Sequence, residues 1–188
     1  MKNRFMVALL TLLAIFAFAQ LSWGQADPEG GLDSLYISCG TNVYPGSGTT
    51  VVTFQLRFFS DNVSDQIAGI EAPFKITGNN MVSIDTTVAG AFTGSPFDLQ
   101  TRAVAKFGNP DPTMQPFLMN YGWANISGSP PYFTGDLLFI NIKITVNDTG
   151  TICFADTLAP TTGLPPNFVT AQGVGYNVNW SDKCCKVN

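Results

Sequence analysis

Glu29 and Glu71 are the only glutamates in this chain of 188 residues, and it contains no histidine. Without an imidazole, neither a Ser-His-Asp nor a Cys-His nucleophile can be assembled, and no histidine metal site can form. Carboxylate chemistry remains, since a glycosidase needs only two acids flanking the bond it cleaves. Glu29 lies close to the start of the body, and Asp61, Asp65, Asp111 and Asp148 sit in turn-forming stretches. There an aspartate usually caps backbone amides. Glu71 with one aspartate is therefore the acid/base pair the chain offers, and the residue types point to a protein that binds or builds without catalysing.

Two other groups could hold a ligand. Asp61-Asn62-Val63-Ser64-Asp65 places oxygen atoms at alternate and terminal positions, a loose echo of a calcium loop. The apolar Val63 and the missing glycine and downstream glutamate make it a poor EF-hand, so calcium through Asp61 and Asp65 is the one metal expectation, with an Asx-rich turn as its alternative. The second group is aromatic: Tyr121, Trp123, Tyr132, Tyr176 and Trp180 could stack on sugar rings. Tyr121, Trp123 and Tyr176 lie on alternating strand faces, where core packing accounts for them. Trp180, near the end, and Tyr132, after a Pro-Pro turn, are expected to be exposed. The expected ligand-binding set is thus Trp180, Tyr132, Trp123 and Tyr121.

Four cysteines, Cys39, Cys153, Cys184 and Cys185, complete the reactive inventory, and they must be read with the N-terminus. Lys2 and Arg4 precede an uncharged run from Phe5 to Ala19, and Gly24-Gln25-Ala26 places small residues at −3 and −1 of a cleavage site. This is the pattern of a secretory signal peptide over residues 1–26, with Ala19 as an alternative cut. The apolar run is shorter than the roughly 20 residues a membrane span requires. Cys39 lies well past the leader, so no thiol at a leader junction is available for a lipid anchor. Outside the cytoplasm an even number of thiols tends to pair, and four allow three connectivities. Cys184 and Cys185 are adjacent, and a bridge between neighbours is strained, so each reaches elsewhere or one stays free, with Cys153 expected to bond to one of them. The absence of histidine and of CxxC spacing argues against zinc.

With the leader removed about 160 residues remain, enough for one domain over 27–188. Of nine basic side chains, Lys2 and Arg4 leave with the leader; seven then face thirteen acidic ones, a net charge of −6. Nucleic acid and anionic lipid both call for a basic surface, so neither is expected as a partner. Sequons begin at Asn62, Asn125, Asn147 and Asn179, and they matter only in a glycosylating host.

The elements that must position these groups are strands. Thr49 to Phe59 alternates strictly, with Val52, Phe54, Leu56 and Phe58 on one face and Thr53, Gln55 and Arg57 on the other. Leu137 to Val146 does the same, with Leu138, Ile140, Ile142, Ile144 and Val146 expected inward. Shorter copies occur at Leu35-Ile37-Cys39, Ile70-Ala72-Phe74-Ile76, Val82-Ile84, Ala103-Ala105-Phe107, Phe117-Met119-Tyr121-Trp123 and Val174-Tyr176-Val178-Trp180. Gly/Pro/Asn-rich turns separate them, and no stretch after the leader keeps helical period. The pattern predicts an all-β antiparallel sandwich or jelly roll. Pro73, on an outward position, suggests an edge or bulge, because proline cannot donate to a ladder.

With the strands placed, two stretches resemble cohesin-like domains. The segment from Leu35 to Phe58, followed by Ile67-Ala68-Gly69-Ile70-Glu71-Ala72-Pro73-Phe74, is similar to their opening strands. Gly135-Asp136-Leu137-Leu138-Phe139-Ile140-Asn141-Ile142-Lys143-Ile144 is similar to a late strand, followed by a Thr-Gly turn and another strand. The resemblance implies a nine-stranded jelly roll related to carbohydrate-binding modules. It also implies a secreted, extracellular or cell-surface, non-catalytic module that binds a dockerin-like protein or a polysaccharide. Cohesins serve bacterial assemblies that hold polysaccharide-degrading enzymes or surface proteins. The alternative is a structural protein of the cell surface or extracellular matrix that assembles by edge-strand pairing.

Overall fold

The computed structural model describes residues 33–61, 66–85, 91, 97, 106–107, 116–124, 133–159 and 162–188. The leader, most of the candidate calcium loop including Asp65, and Tyr132 lie outside these residues. Among the described residues no helix is long and apolar enough to cross a membrane.

Twelve strands form among the described residues: β1 (Ser34–Ser38), β2 (Thr50–Ser60), β3 (Ile67–Gly78), β4 (Met81–Ile84), β5 (Lys106–Phe107), β6 (Phe117–Ala124), β7 (Gly135–Val146), β8 (Gly150–Asp156), β9 (Asn167–Thr170), β10 (Gly175–Asn177), β11 (Asn179–Ser181) and β12 (Lys183–Val187). They make two sheets. One has five strands in the order β11-β1-β2-β7-β4; the other has seven, with β10-β9-β3-β6-β5 in a row, β8 also paired to β3 and β12 paired to β8. All pairings are antiparallel except β1 with β11. This is the all-β sandwich that the alternation predicts.

The inward column of each long strand builds the core. Val52, Phe54, Leu56 and Phe58 of β2, and Ile70, Ala72, Phe74 and Ile76 of β3, are all buried. At one end Phe58, Phe97, Phe133 and Phe139 meet ring to ring, with centroids 4.3–5.9 Å apart. Such contacts add to the area term for burying rings.

Three departures from strict alternation have local causes. In β7 the register against β2 slips between Leu56 and Arg57, whose partners are Ile140 and Leu138. The extra residue, Phe139, is fully buried, while Leu138 pairs with the outward Arg57 and so faces out, contrary to the expectation from period two. A bulge reverses the phase of every residue beyond it. A second bulge in β4, between Met81 and Ser83, buries Met81 and Ile84 and leaves Val82 half exposed. The stretch from Val174 to Trp180, expected as one strand, divides at Val178 and changes sheets: Tyr176 lies on β10 of the seven-stranded sheet and Trp180 on β11 of the five-stranded one.

Pro73 lies on a central strand, contrary to the suggested edge. On one side β3 pairs β9 as far as Glu71 and β8 only from Phe74, so Pro73 falls where one partner has ended and the next has not begun. A missing donor costs least there.

Candidate binding faces

Of the four aromatic residues singled out by sequence, the three that are described share no exposed face. Tyr121 and Trp123 are 2% and 3% exposed on the inward column of β6, so their rings are spent on the core. Trp180 is half-buried and stacks on Phe74 across the sandwich, with centroids 5.8 Å apart. Its indole nitrogen is enclosed without a hydrogen-bond partner. Tyr132 lies outside the described residues. Tyr176 is also buried, and its hydroxyl donates to Asp33 Oδ2 at 2.6 Å. Asp61 is exposed, and its backbone N–H donates to Asp33 Oδ1 at 3.1 Å. Among the described residues no group of three or more His, Cys, Asp or Glu side chains is placed to hold a metal ion.

The cysteines form two bridges, Cys39–Cys185 and Cys153–Cys184. Consecutive strand residues face opposite ways, so the adjacent pair on β12 reaches two different partners. Cys184 lies directly opposite Cys153 in the β12–β8 ladder, while Cys185 points into the core and reaches the end of β1. The expected bond from Cys153 is present. Bridges of this kind belong to oxidising compartments.

Glu71, the candidate acid, stands on the outer face of the seven-stranded sheet. Its carboxylate accepts from Asn120 Nδ2 at 2.9 Å, from Thr162 Oγ1 at 3.1 Å and from Asn167 Nδ2 at 3.3 Å. Asn120 is fully buried although it points away from the core, and Thr162, from the connection between β8 and β9, reaches the same Glu71 carboxylate. Glu71 pins that connection to the sheet. Further along, the face stays open: Leu118 is 41% exposed and pairs across the ladder with the exposed Lys75.

The outer face of the five-stranded sheet is built differently. Arg57 Nε donates to Asp136 Oδ1 at 2.8 Å, and its NH1 donates to Gln55 Oε1 at 3.0 Å. The Tyr36 hydroxyl also hydrogen-bonds with Asp136 and Arg57. Desolvation pushes the Asp136 carboxyl up, but the hydrogen bonds from Arg57 and Tyr36, with the guanidinium charge, outweigh it and hold the group below its ordinary range. Phe59, one step along β2, is 39% exposed. Sequence reasoning set Gln55 and Arg57 on the outward face but passed over Tyr36 and Phe59. The signal was available in the alternation itself, because Phe59 continues the column of Gln55 and Arg57, and Tyr36 sits between two inward residues of β1.

No protein-family model and no curated protein sequence matches the chain. Solved structures do. A chain from a type I cohesin–dockerin complex of Clostridium thermocellum is 8% identical and matches 84% of this chain and 100% of its own length, with a TM-score of 0.51. The second type II cohesin module of the adaptor ScaA scaffoldin of Acetivibrio cellulolyticus is also 8% identical over 84% of this chain and 91% of its own, again at 0.51. A cohesin module from a Clostridium perfringens family 33 glycoside hydrolase is 12% identical over 84% of this chain and 97% of its own, at 0.50. At such identities the likeness is one of fold, and the fold is cohesin-like.

Proposed function

We propose that this chain is a secreted, non-catalytic binding module of cohesin type. In this reading residues 1–26 direct export, residues 27–188 form the module, and a dockerin-like protein docks on the open part of the seven-stranded face. The observation that carries it is the cohesin-like sandwich over 84% of the chain, in one case similar to a chain of a cohesin–dockerin complex. The exposed Leu118, flanked by Lys75, supplies the apolar centre with a polar rim that a protein partner needs.

The alternative of self-assembly through sheet edges finds little support among the described strands. The outermost β12 carries the exposed Lys183 and Lys186, β4 is bulged, and β10 and β11 have three residues each. Lysines, bulges and short strands are the devices that block edge-to-edge pairing. A polysaccharide ligand is the second reading, favoured by the polar and aromatic face around Arg57.

The test is capture of dockerin-bearing proteins from the secreted fraction of the producing organism by the oxidised protein, with mass followed by light scattering. A captured dockerin whose affinity falls at least about tenfold on Leu118→Asp is the expected result. Growth of mass with concentration and no capture would favour the self-assembling structural protein instead.

A further inference from the structure

The five-stranded sheet carries a side-chain array that protein docking on the opposite sheet leaves unused. Cross-strand register sets three rows on its outer face: Ser34–Phe59–Asp136, Tyr36–Arg57–Leu138 and Ser38–Gln55–Asn141. Two-residue steps along β2 separate Phe59, Arg57 and Gln55 by about 7 Å each, so the array extends about 14 Å along the strand.

Arg57 is held on both sides, by Asp136 at 2.8 Å and by Gln55 at 3.0 Å, and the phenol of Tyr36 joins the same network. A surface arginine normally loses rotamer entropy when it binds; here that loss is already incurred in folding. The side chains are only partly covered, with Arg57 24% and Asp136 47% exposed, so donors and acceptors remain open to solvent. Fixed planar groups that both donate and accept match the paired hydroxyls of a sugar ring, and the exposed Phe59 ring offers an apolar face for its C–H side. Arg57 and Asp136 cancel in charge, which removes the electrostatic attraction a charged ligand would exploit.

We propose that this face binds a neutral oligosaccharide or polysaccharide chain, with Phe59 and Tyr36 against the sugar rings and Gln55, Arg57 and Asp136 bonded to their hydroxyls. The proposal deepens the polysaccharide reading and does not depend on the dockerin-like partner.

The test is a titration of the isotope-labelled, oxidised protein with cellohexaose, xylohexaose, chitohexaose and mannohexaose, followed by NMR, with retention on the corresponding insoluble polymers. With at least one of these sugars, saturable shifts are expected at the Gln55 side-chain amide and the Arg57 Nε–H. Arg57→Ala and Phe59→Ser should each weaken binding by about tenfold, whereas Leu118→Asp should leave it unchanged. An exposed ion pair contributes little to folding, so an unchanged melting temperature in Arg57→Ala separates lost binding from lost structure. Saturable shifts confined to residues elsewhere would overturn the site and leave the polysaccharide reading standing. No shift and no retention with any of the four would overturn both.

Discussion

At the scale of single residues, Tyr121 shows what the core demands of a polar group. Burial first, and the nearby Asp85 charge second, push its phenol up to about 12 from 10.0. An acid whose folded value is raised contributes its full stability below the unfolded value and loses it as pH climbs through the folded one. Unfolding midpoints in urea should therefore hold steady to about pH 10 and fall towards pH 12, by about 2 kcal/mol from this group. In Tyr121→Phe the slope over that interval should be shallower; an identical slope would place the alkaline loss elsewhere. The same burial removes Tyr121 and Trp123 from the surface that a ligand could reach. Period two assigns a ring to one side of a strand, but it does not say which side a sheet covers. Tyr121 and Trp123 alternate as cleanly as a binding platform would, whereas Tyr36 and Phe59, which do face solvent, lie among neighbours that draw less attention.

At the scale of elements, β2, β3 and β6 were legible because their inward columns run unbroken for four residues. β7 was legible in extent and, from Ile140 to Val146, in phase; only Leu138, beyond the bulge, faces the other way. No residue type in Leu137-Leu138-Phe139-Ile140 marks a bulge, since any of the four could fill the core, and packing of Phe139 against Phe97 settles the matter. The short strands β9 and β12 lacked the length for a periodic signal, and β12 is held instead by sulfur. Its two bridges close loops of very different size, 146 and 31 residues apart in sequence. In the chain-entropy model the longer one stabilises by about 1.4 kcal/mol more. The pair Cys39→Ser/Cys185→Ser should therefore lower the urea midpoint further than Cys153→Ser/Cys184→Ser. Burial of Cys185 adds to that difference, because a serine hydroxyl there would be enclosed by apolar neighbours. Equal midpoints would show that the unfolded chain is not the seat of the effect.

At the scale of the whole molecule, the sandwich presents two faces of different character. One carries Glu71, bonded to Thr162 of the β8–β9 connection, and opens onto Leu118; the other carries a pre-ordered polar network. Composition anticipated the restraint in charge, and alternation anticipated the sandwich, but the pairing of strands distant in sequence decides which residues become neighbours. Tyr36, Arg57 and Asp136 meet only because β1 and β7 flank β2. The Cys39–Cys185 bridge also has a mechanical meaning. Tension applied to the chain outside these two cysteines runs through one sulfur–sulfur bond, and the residues between them bear no load. In single-molecule stretching the oxidised protein should yield only the short segments beyond the bridge. Reduction should release the 146-residue span, a gain in contour length of about 50 nm. A protein built this way transmits strain from one end to the other without its two sheets being pulled apart.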